Sequence, residues 1–305
     1  MNERFLAELR ELGPALTDEP LSRHTTFGIG GPADAYFVAR DEAQLTGALR
    51  AAHRHSVPFF ILGSGSNVLV LDGGIRGLVI ENSTDSVDGP NPNGAGFRVR
   101  VASGVSFAAL ARRLSFAGYS GLEWACGIPG TLGGAAVFNA GAYGKSLLDD
   151  LKGIRTLSPA DETVEHQPEA LALTYRTSAF QQGELQDHVV LSVDLHVDKG
   201  EAGELRARVK EFDAQRLAAQ PRGRNAGSMF KNTTEHPAWW LVDQVGLRGH
   251  RIGNAQISDQ HTNFFLNLGG ATAVDVLALM ELARTRIRER FGIELENEVA
   301  TVGEP

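Results

Sequence analysis

Three stretches of this chain combine residue types that could bind or react with a ligand. The first is Gly63-Ser64-Gly65-Ser66-Asn67, directly after the apolar run Pro58 to Leu62. Consecutive small residues leave backbone N–H groups open, and two hydroxyls join them, so the loop can form a concave nest for a pyrophosphate. A tight hairpin turn accounts for the same residues equally well. The second runs from Cys126 to Gly144, is apolar and unusually small in side chain, and is bounded by Trp124 and Tyr143. Such a segment can lie flat against a large planar ring; a helix packed closely through its glycines is the other reading. The third is Asn225-Ala-Gly-Ser-Met-Phe-Lys-Asn232. Ser228, followed by Lys231 and Asn232, can donate a proton or bind an anion, and Arg216, Arg222 and Arg224 precede it. A serine capping a loop is the plainer account.

Several familiar chemistries fail on spacing. Gly63-x-Gly65 lacks the third glycine of a dinucleotide fingerprint, because Val68 stands there and a strand follows instead of a helix. Gly144-Lys145-Ser146 resembles the end of a phosphate-binding loop, but Asn139 occupies the position of its first glycine. No Gly-x-Ser-x-Gly elbow is present. The nine histidines include no metal-binding helical pair, and the single cysteine, Cys126, excludes a disulfide framework and points to a reducing compartment. A formal net charge of −8 argues against non-specific nucleic-acid binding. The charged, amphipathic N-terminus is not a signal peptide. The charge-free segment Trp124 to Gly144 holds six glycines and Pro129, so it reads as buried loop and turn and not as a membrane span.

The elements that must position these stretches follow from periodicity. Apolar residues make up 42% of the 305, enough for a core, and the length suggests two domains or three small ones. Residues 34–39, 58–62, 68–71, 78–81 and 97–102 read as strands, with a helix from Asp41 between the first two: a strand–helix–strand unit. Ser83 to Gly96 reads as a surface loop. Ser106 caps a helix closed by Gly118. Strands at 151–158 and 188–197 precede a helix at about 201–218, a short helix at 238–246, and a long one begun by the Thr272/Asp275 capping box. The 35 glycines are unevenly placed: 21 lie between Gly28 and Gly144. Clustered glycine beside apolar strands suggests backbone wrapped around a ligand.

In order along the chain, GSGSN, GIPGTLGGAAVFNAGAYG, TYRTSAF, NAGSMFKN and GIELENEV resemble the UDP-N-acetylenolpyruvoylglucosamine reductases, as does Thr26-Phe-Gly-Ile-Gly-Gly31. The resemblance implies an α+β fold, with a two-part FAD-binding domain (PCMH-type) and a separate C-terminal α/β substrate-binding domain. The implied division is 1–81 plus 293–305, 82–217, and 218–292 for the UDP-sugar. It implies non-covalent FAD and NADPH as hydride donor, reduction of the enolpyruvyl ether to UDP-N-acetylmuramate in peptidoglycan synthesis, and a cytoplasmic protein for which a monomer is favoured. Catalytic roles fall on Arg176 as cation, Ser228 as proton donor and Glu298 as stabilising acid, in preference to Glu296. Cofactor contacts fall on Gly63, Ser64, Gly65, Ser66, Asn67, Gly127, Ile128, Pro129, Gly130, Gly133, Gly134, Asn139, Gly141 and Tyr143. Arg216, Lys231, Asn232 and Arg248 are substrate-binding candidates, and no metal is expected. Ala300 stands where the family usually has arginine. Only about ten residues, without tyrosine, separate Phe180 from Val190, as in the shorter subclass; this predicts a more open channel closed by movement of 218–292. The alternatives are another flavin oxidoreductase of the same fold, acting on an alcohol or hydroxy acid with flavin tethered through Cys126 or His24, and a non-catalytic UDP-sugar sensor.

Overall fold

The structure, a computed structural model, describes residues 2–305. The first part holds α1 (Glu3–Leu12), β1 (Ala15–Pro20), β2 (Pro32–Ala39), α2 (Glu42–Arg54), β3 (Phe59–Leu62), β4 (Val68–Val70) and β5 (Ile75–Asn82). Its sheet runs β1-β2-β5-β3, with β2, β5 and β3 parallel and β1 antiparallel at the edge. Leu78, Val79 and Ile80 are fully buried, as expected for a central parallel strand covered on both faces. One face packs on α1 and α2 through Phe5, Leu9, Leu45 and Leu49. The Asp41 side chain accepts the Gln44 N–H and starts α2, as the sequence indicates.

The second part contributes β6 (Val87–Asn93), β7 (Gly96–Ala102), α3 (Phe107–Phe116), β8 (Tyr119–Ser120), α4 (Leu132–Val137), β9 (Gly141–Ala142), β10 (Lys145–Ser146), α5 (Leu147–Asp150), β11 (Leu151–Leu157), β12 (Thr163–His166), β13 (Val189–Lys199) and α6 (Ala202–Ala219). An antiparallel sheet in the order β12-β11-β13-β7-β6 packs beneath α3 and α6 around Val101, Phe107, Leu114, Val193 and Val209. Two expectations are corrected here. Residues 83–96 are not all loop: β6 pairs with β7 at the sheet edge, where prolines that remove N–H donors are tolerated. The stretch Trp124 to Gly144 is not all loop and turn either, because its centre forms α4.

The third part holds α7 (Ala238–Gln244), β14 (Arg251–Ile252), β15 (Ala255–Ile257), β16 (Phe265–Asn267), α8 (Ala273–Phe291) and β17 (Ala300–Val302). The antiparallel β14-β15-β16 sheet packs with α7 and α8 around Phe230, Leu241, Phe265, Val276 and Met280. The Thr272/Asp275 capping box is present, and Gly292 ends α8 at φ +68. Phe27, Ile29 and Leu69 of the first part complete this core. Both carboxylate oxygens of Asp72 accept N–H groups from the first turn of α8. Finally, β17 returns to pair in parallel with β4. No helix among the described residues is long and apolar enough to cross a membrane.

Candidate active site

A cleft of about 470 Å³ lies where the three parts meet. The loop 63–67 forms one wall. Gly65 adopts φ +62, and a Cβ there would lie 2.3 Å from the His24 carbonyl oxygen, so only glycine lets the loop seat on residues 24–26. Its own carbonyl accepts the Thr26 N–H at 3.0 Å. The amides of Ser64, Gly65, Ser66 and Asn67 donate to no other backbone group among the described residues. Facing them, 128–134 forms a turn that enters α4. Thr131 caps it by accepting the Gly134 N–H at 3.3 Å. Gly133 brings α4 against Ser103: its N–H meets the Ser103 carbonyl at 2.8 Å, and a Cβ would lie 2.8 Å from the Ser103 Cβ.

Another region of the cleft lining is built from side chains. Arg176 sits at φ +55 in the turn that joins Thr174 to Thr177. Its Nε donates to Glu298 Oε1 at 2.6 Å and its Nη2 to the Gly141 carbonyl at 2.9 Å. Ser228 lies in an extended segment bridged to Phe264, while the next residues pair with the chain end: Glu298 N–H donates to the Met229 carbonyl at 2.9 Å. Asn67 Nδ2 donates to the Glu298 carbonyl at 3.2 Å, and the Ala300 N–H to the Asn67 carbonyl at 3.1 Å. Glu298 is thus tied by backbone to two parts and by side chain to the third. Its side chain is 17% exposed, whereas that of Glu296 is 77% exposed and pairs with Lys231 at 3.3 Å.

Of the residues singled out in the sequence, Gly63, Ser64, Gly65, Ser66, Asn67, Ile128, Pro129, Gly130, Gly133, Gly134, Gly141, Arg176, Arg216, Ser228 and Glu298 line the cleft. Arg216 carries no ion pair among the described residues, and burial lowers its affinity for its proton. Ala300 also lines it, and the remaining candidates, Gly127, Asn139, Tyr143, Lys231, Asn232 and Arg248, lie outside the lining. Gly127 packs on the Arg216 side chain. Asn139 donates to the Thr174 carbonyl at 2.8 Å and accepts from Leu148 N–H, so it braces the turn. Tyr143 lies beside the Phe212 ring. Asn232 accepts the Ala238 N–H at the start of α7, and Arg248 pairs with Asp243. Sequence reading missed Asn82, Ser103, Thr131, His188, Val190 and Phe264 in the lining. Only Thr131 carried a local signal, a threonine placed to cap the small-residue helix behind it.

His24 and Cys126 are absent from the lining. His24 contacts Glu19 at 3.0 Å and the Tyr36 hydroxyl at 2.7 Å. Cys126 is buried with Sγ toward the Val209 carbonyl, and burial pushes its thiol up to about 11. Neither is placed to tether a ligand in the cleft.

Comparison with known proteins supplies the lineage. A family model described as UDP-N-acetylenolpyruvoylglucosamine reductase, C-terminal domain, matches residues 219–302, and one described as FAD binding domain matches 33–167. The chain is 42% identical to the UDP-N-acetylenolpyruvoylglucosamine reductase of Rubrobacter xylanophilus, over 97% of this chain and 98% of that protein. It is 40% identical to that of Geobacter metallireducens over the full length of both. The crystal structure of the Thermus caldophilus enzyme superposes with a TM-score of 0.78 at 32% identity, covering 95% of this chain and 98% of that one. These matches span every element described above, and the chain belongs to the UDP-N-acetylenolpyruvoylglucosamine reductase family.

Proposed function

We propose that the protein reduces UDP-N-acetylglucosamine enolpyruvate to UDP-N-acetylmuramate with NADPH, through FAD held non-covalently in the cleft. The observation that carries this reading is the convergence of Arg176, Ser228 and Glu298, from separate stretches of chain, at one end of a cleft walled by 63–67 and 128–134. The cleft suits FAD. Its loop amides and the Ser64 and Ser66 hydroxyls offer donors to a pyrophosphate, and the small residues Gly133, Gly134 and Ala135 in its lining leave room for a flat ring. When bound, FAD supplies the relay of hydride from NADPH to the substrate.

The chain's own residues then handle charge and protons. Arg176 holds the substrate carboxylate through the donors that Glu298 and Gly141 leave free. As hydride arrives at the terminal methylene carbon, negative charge develops on the neighbouring carbon and its carboxylate. Arg176 stabilises that charge, Glu298 hydrogen-bonds the enol, and the Ser228 Oγ delivers a proton to the carbon. Serine is a weak acid and suits only so basic an acceptor. Lys231, three residues on, is paired with Glu296 in the free protein. Arg216 is the candidate for the substrate diphosphate, with Lys231, Asn232 and Arg248, outside the lining, as further substrate-binding candidates.

We further propose the division 1–81 plus 293–305, 82–217 and 218–292, supported by the separate cores and by the β4–β17 pairing. We expect 218–292 to move on substrate binding; identical free and substrate-bound crystal structures would contradict this. A cytoplasmic monomer fits the reaction. The test of function is anaerobic: NADPH should bleach the yellow protein, and enolpyruvyl substrate should restore the colour. Bleaching without reoxidation by this substrate would refute the assignment. The rival oxidase would need oxygen for reoxidation, and a sensor would not bleach.

A further inference from the structure

Arg176 and Glu298 meet although 122 residues separate them, through one short contact between Nε and Oε1. Nη2 is taken by the Gly141 carbonyl, while Nη1 and the Glu298 Oε2 have no hydrogen bond among the described residues. A substrate carboxylate that docks on the free edge of this guanidinium therefore lands beside a carboxylate already there. The cation can neutralise one of them. Two like charges sharing one site disfavour the doubly ionised form, and they do so more strongly where both side chains are about four-fifths buried. Of the other cations, Arg216 in the lining is assigned above to the substrate diphosphate. Lys231 is paired with Glu296, and the remaining titratable groups in the cleft lining are Arg216 and His188.

We propose that binding of the enolpyruvyl substrate takes up a proton from solvent, that Glu298 is its acceptor, and that the proton leaves again with the product. The inference rests on the substrate assigned above. It also explains how an acid that forms an ion pair in the free protein comes to donate a hydrogen bond to the enol: the substrate's own carboxylate converts it. Specificity follows, because only a ligand that brings a carboxylate next to Arg176 arms the site.

The test is calorimetric titration of oxidised holoenzyme, without NADPH, in buffers of different ionisation enthalpy between pH 6 and 9. Wild type should take up about one proton per substrate in part of this range, and its affinity should fall about tenfold per pH unit over that same part and level off where uptake ceases. UDP-N-acetylglucosamine, which lacks the carboxylate, should bind without uptake. Glu298→Gln should bind the enolpyruvyl substrate with uptake lost. Should that variant fail to fold, the two ligands on wild type decide alone. Binding with no uptake across the range, or uptake that persists in Glu298→Gln, overturns the proposal while leaving the function standing. Failure of wild type to bind the enolpyruvyl substrate overturns both.

Discussion

The two ends of the cleft are made of different material. At 63–67 and 128–134 the chain offers backbone: glycines that bring N–H groups close, and short hydroxyl side chains between them. Around Arg176 it offers side chains, with Arg176 on a left-handed turn, Ser228 on an extended segment and Glu298, whose carbonyl Asn67 of the loop 63–67 reaches, on an irregular chain end. On the proposed function, the cradle of backbone binds a group that every turnover reuses, and it needs little more than shape and donors. The reaction proposed above needs one charge, one proton and one acid at fixed places, and the side chains proposed for it come from distant stretches pinned together by Asn67, Met229 and Gly141. The difference predicts that the two ends fail separately.

The largest effect should come from the reacting end. Arg176→Ala is expected to slow substrate-dependent reoxidation about 10²- to 10³-fold, the scale of a lost anion-stabilising donor, while leaving bleaching by NADPH near wild type. Stopped-flow absorbance measures both. The converse break is Gly65→Ala. A side chain at φ +62 against the His24 carbonyl should weaken FAD about tenfold or more, and protein saturated with FAD should keep its reoxidation rate. Equilibrium titration of the apoprotein gives the affinity.

Smaller effects should belong to neither end. Burial alone would raise the Asp194 carboxyl, but hydrogen bonds from Arg100 and Arg98 more than offset it and hold it below the ordinary carboxylate range. A depressed folded value contributes stability above the unfolded value, near pH 4, and loses it as pH falls through the folded value. Asp194→Asn should therefore cost about 1–2 kcal/mol at pH 7, with the gap from wild type closing below about pH 4 in thermal melts. Asp72→Ala removes the acceptor for two N–H groups of α8 and tests the link between the first and third parts. It should cost about 1 kcal/mol, read as a fall in Tm of a few degrees.

The same contrast explains what could be read in advance. Helices α2 and α8 were legible because their signals are local: Asp41 with Gln44, Thr272 with Asp275, and an apolar period between cap and stop. The cradle was legible because glycine is a compositional signal, concentrated between Gly28 and Gly144. Within that signal the sequence could not separate Gly133, which faces the cleft, from Asn139 and Tyr143, which brace its outside. Strand β6 was hidden because Gly89, Pro90, Asn91 and Pro92 read as loop, and only its partner β7 makes it a strand. At the reacting end, motif order pointed to Arg176, Ser228 and Glu298, but nothing local in these residues shows that they converge. The choice of Glu298 over Glu296 depends on burial against Arg176, and the segment carrying them is too irregular for strand alternation to decide it. Lys231, close to Ser228 in sequence, pairs with Glu296, a contact that sequence proximity does not show.

The most direct measurement is single-turnover kinetics of Ser228→Ala, with each half-reaction followed anaerobically by flavin absorbance. If backbone binds the cofactor and side chains run the reduction, NADPH should bleach the variant at the wild-type rate. Reoxidation by the enolpyruvyl substrate should then fall by about 10²- to 10⁴-fold, the range for loss of a positioned proton donor. An equal fall in both half-reactions would show that Ser228 supports the cofactor and not the proton transfer, and the separation of the two ends would not stand.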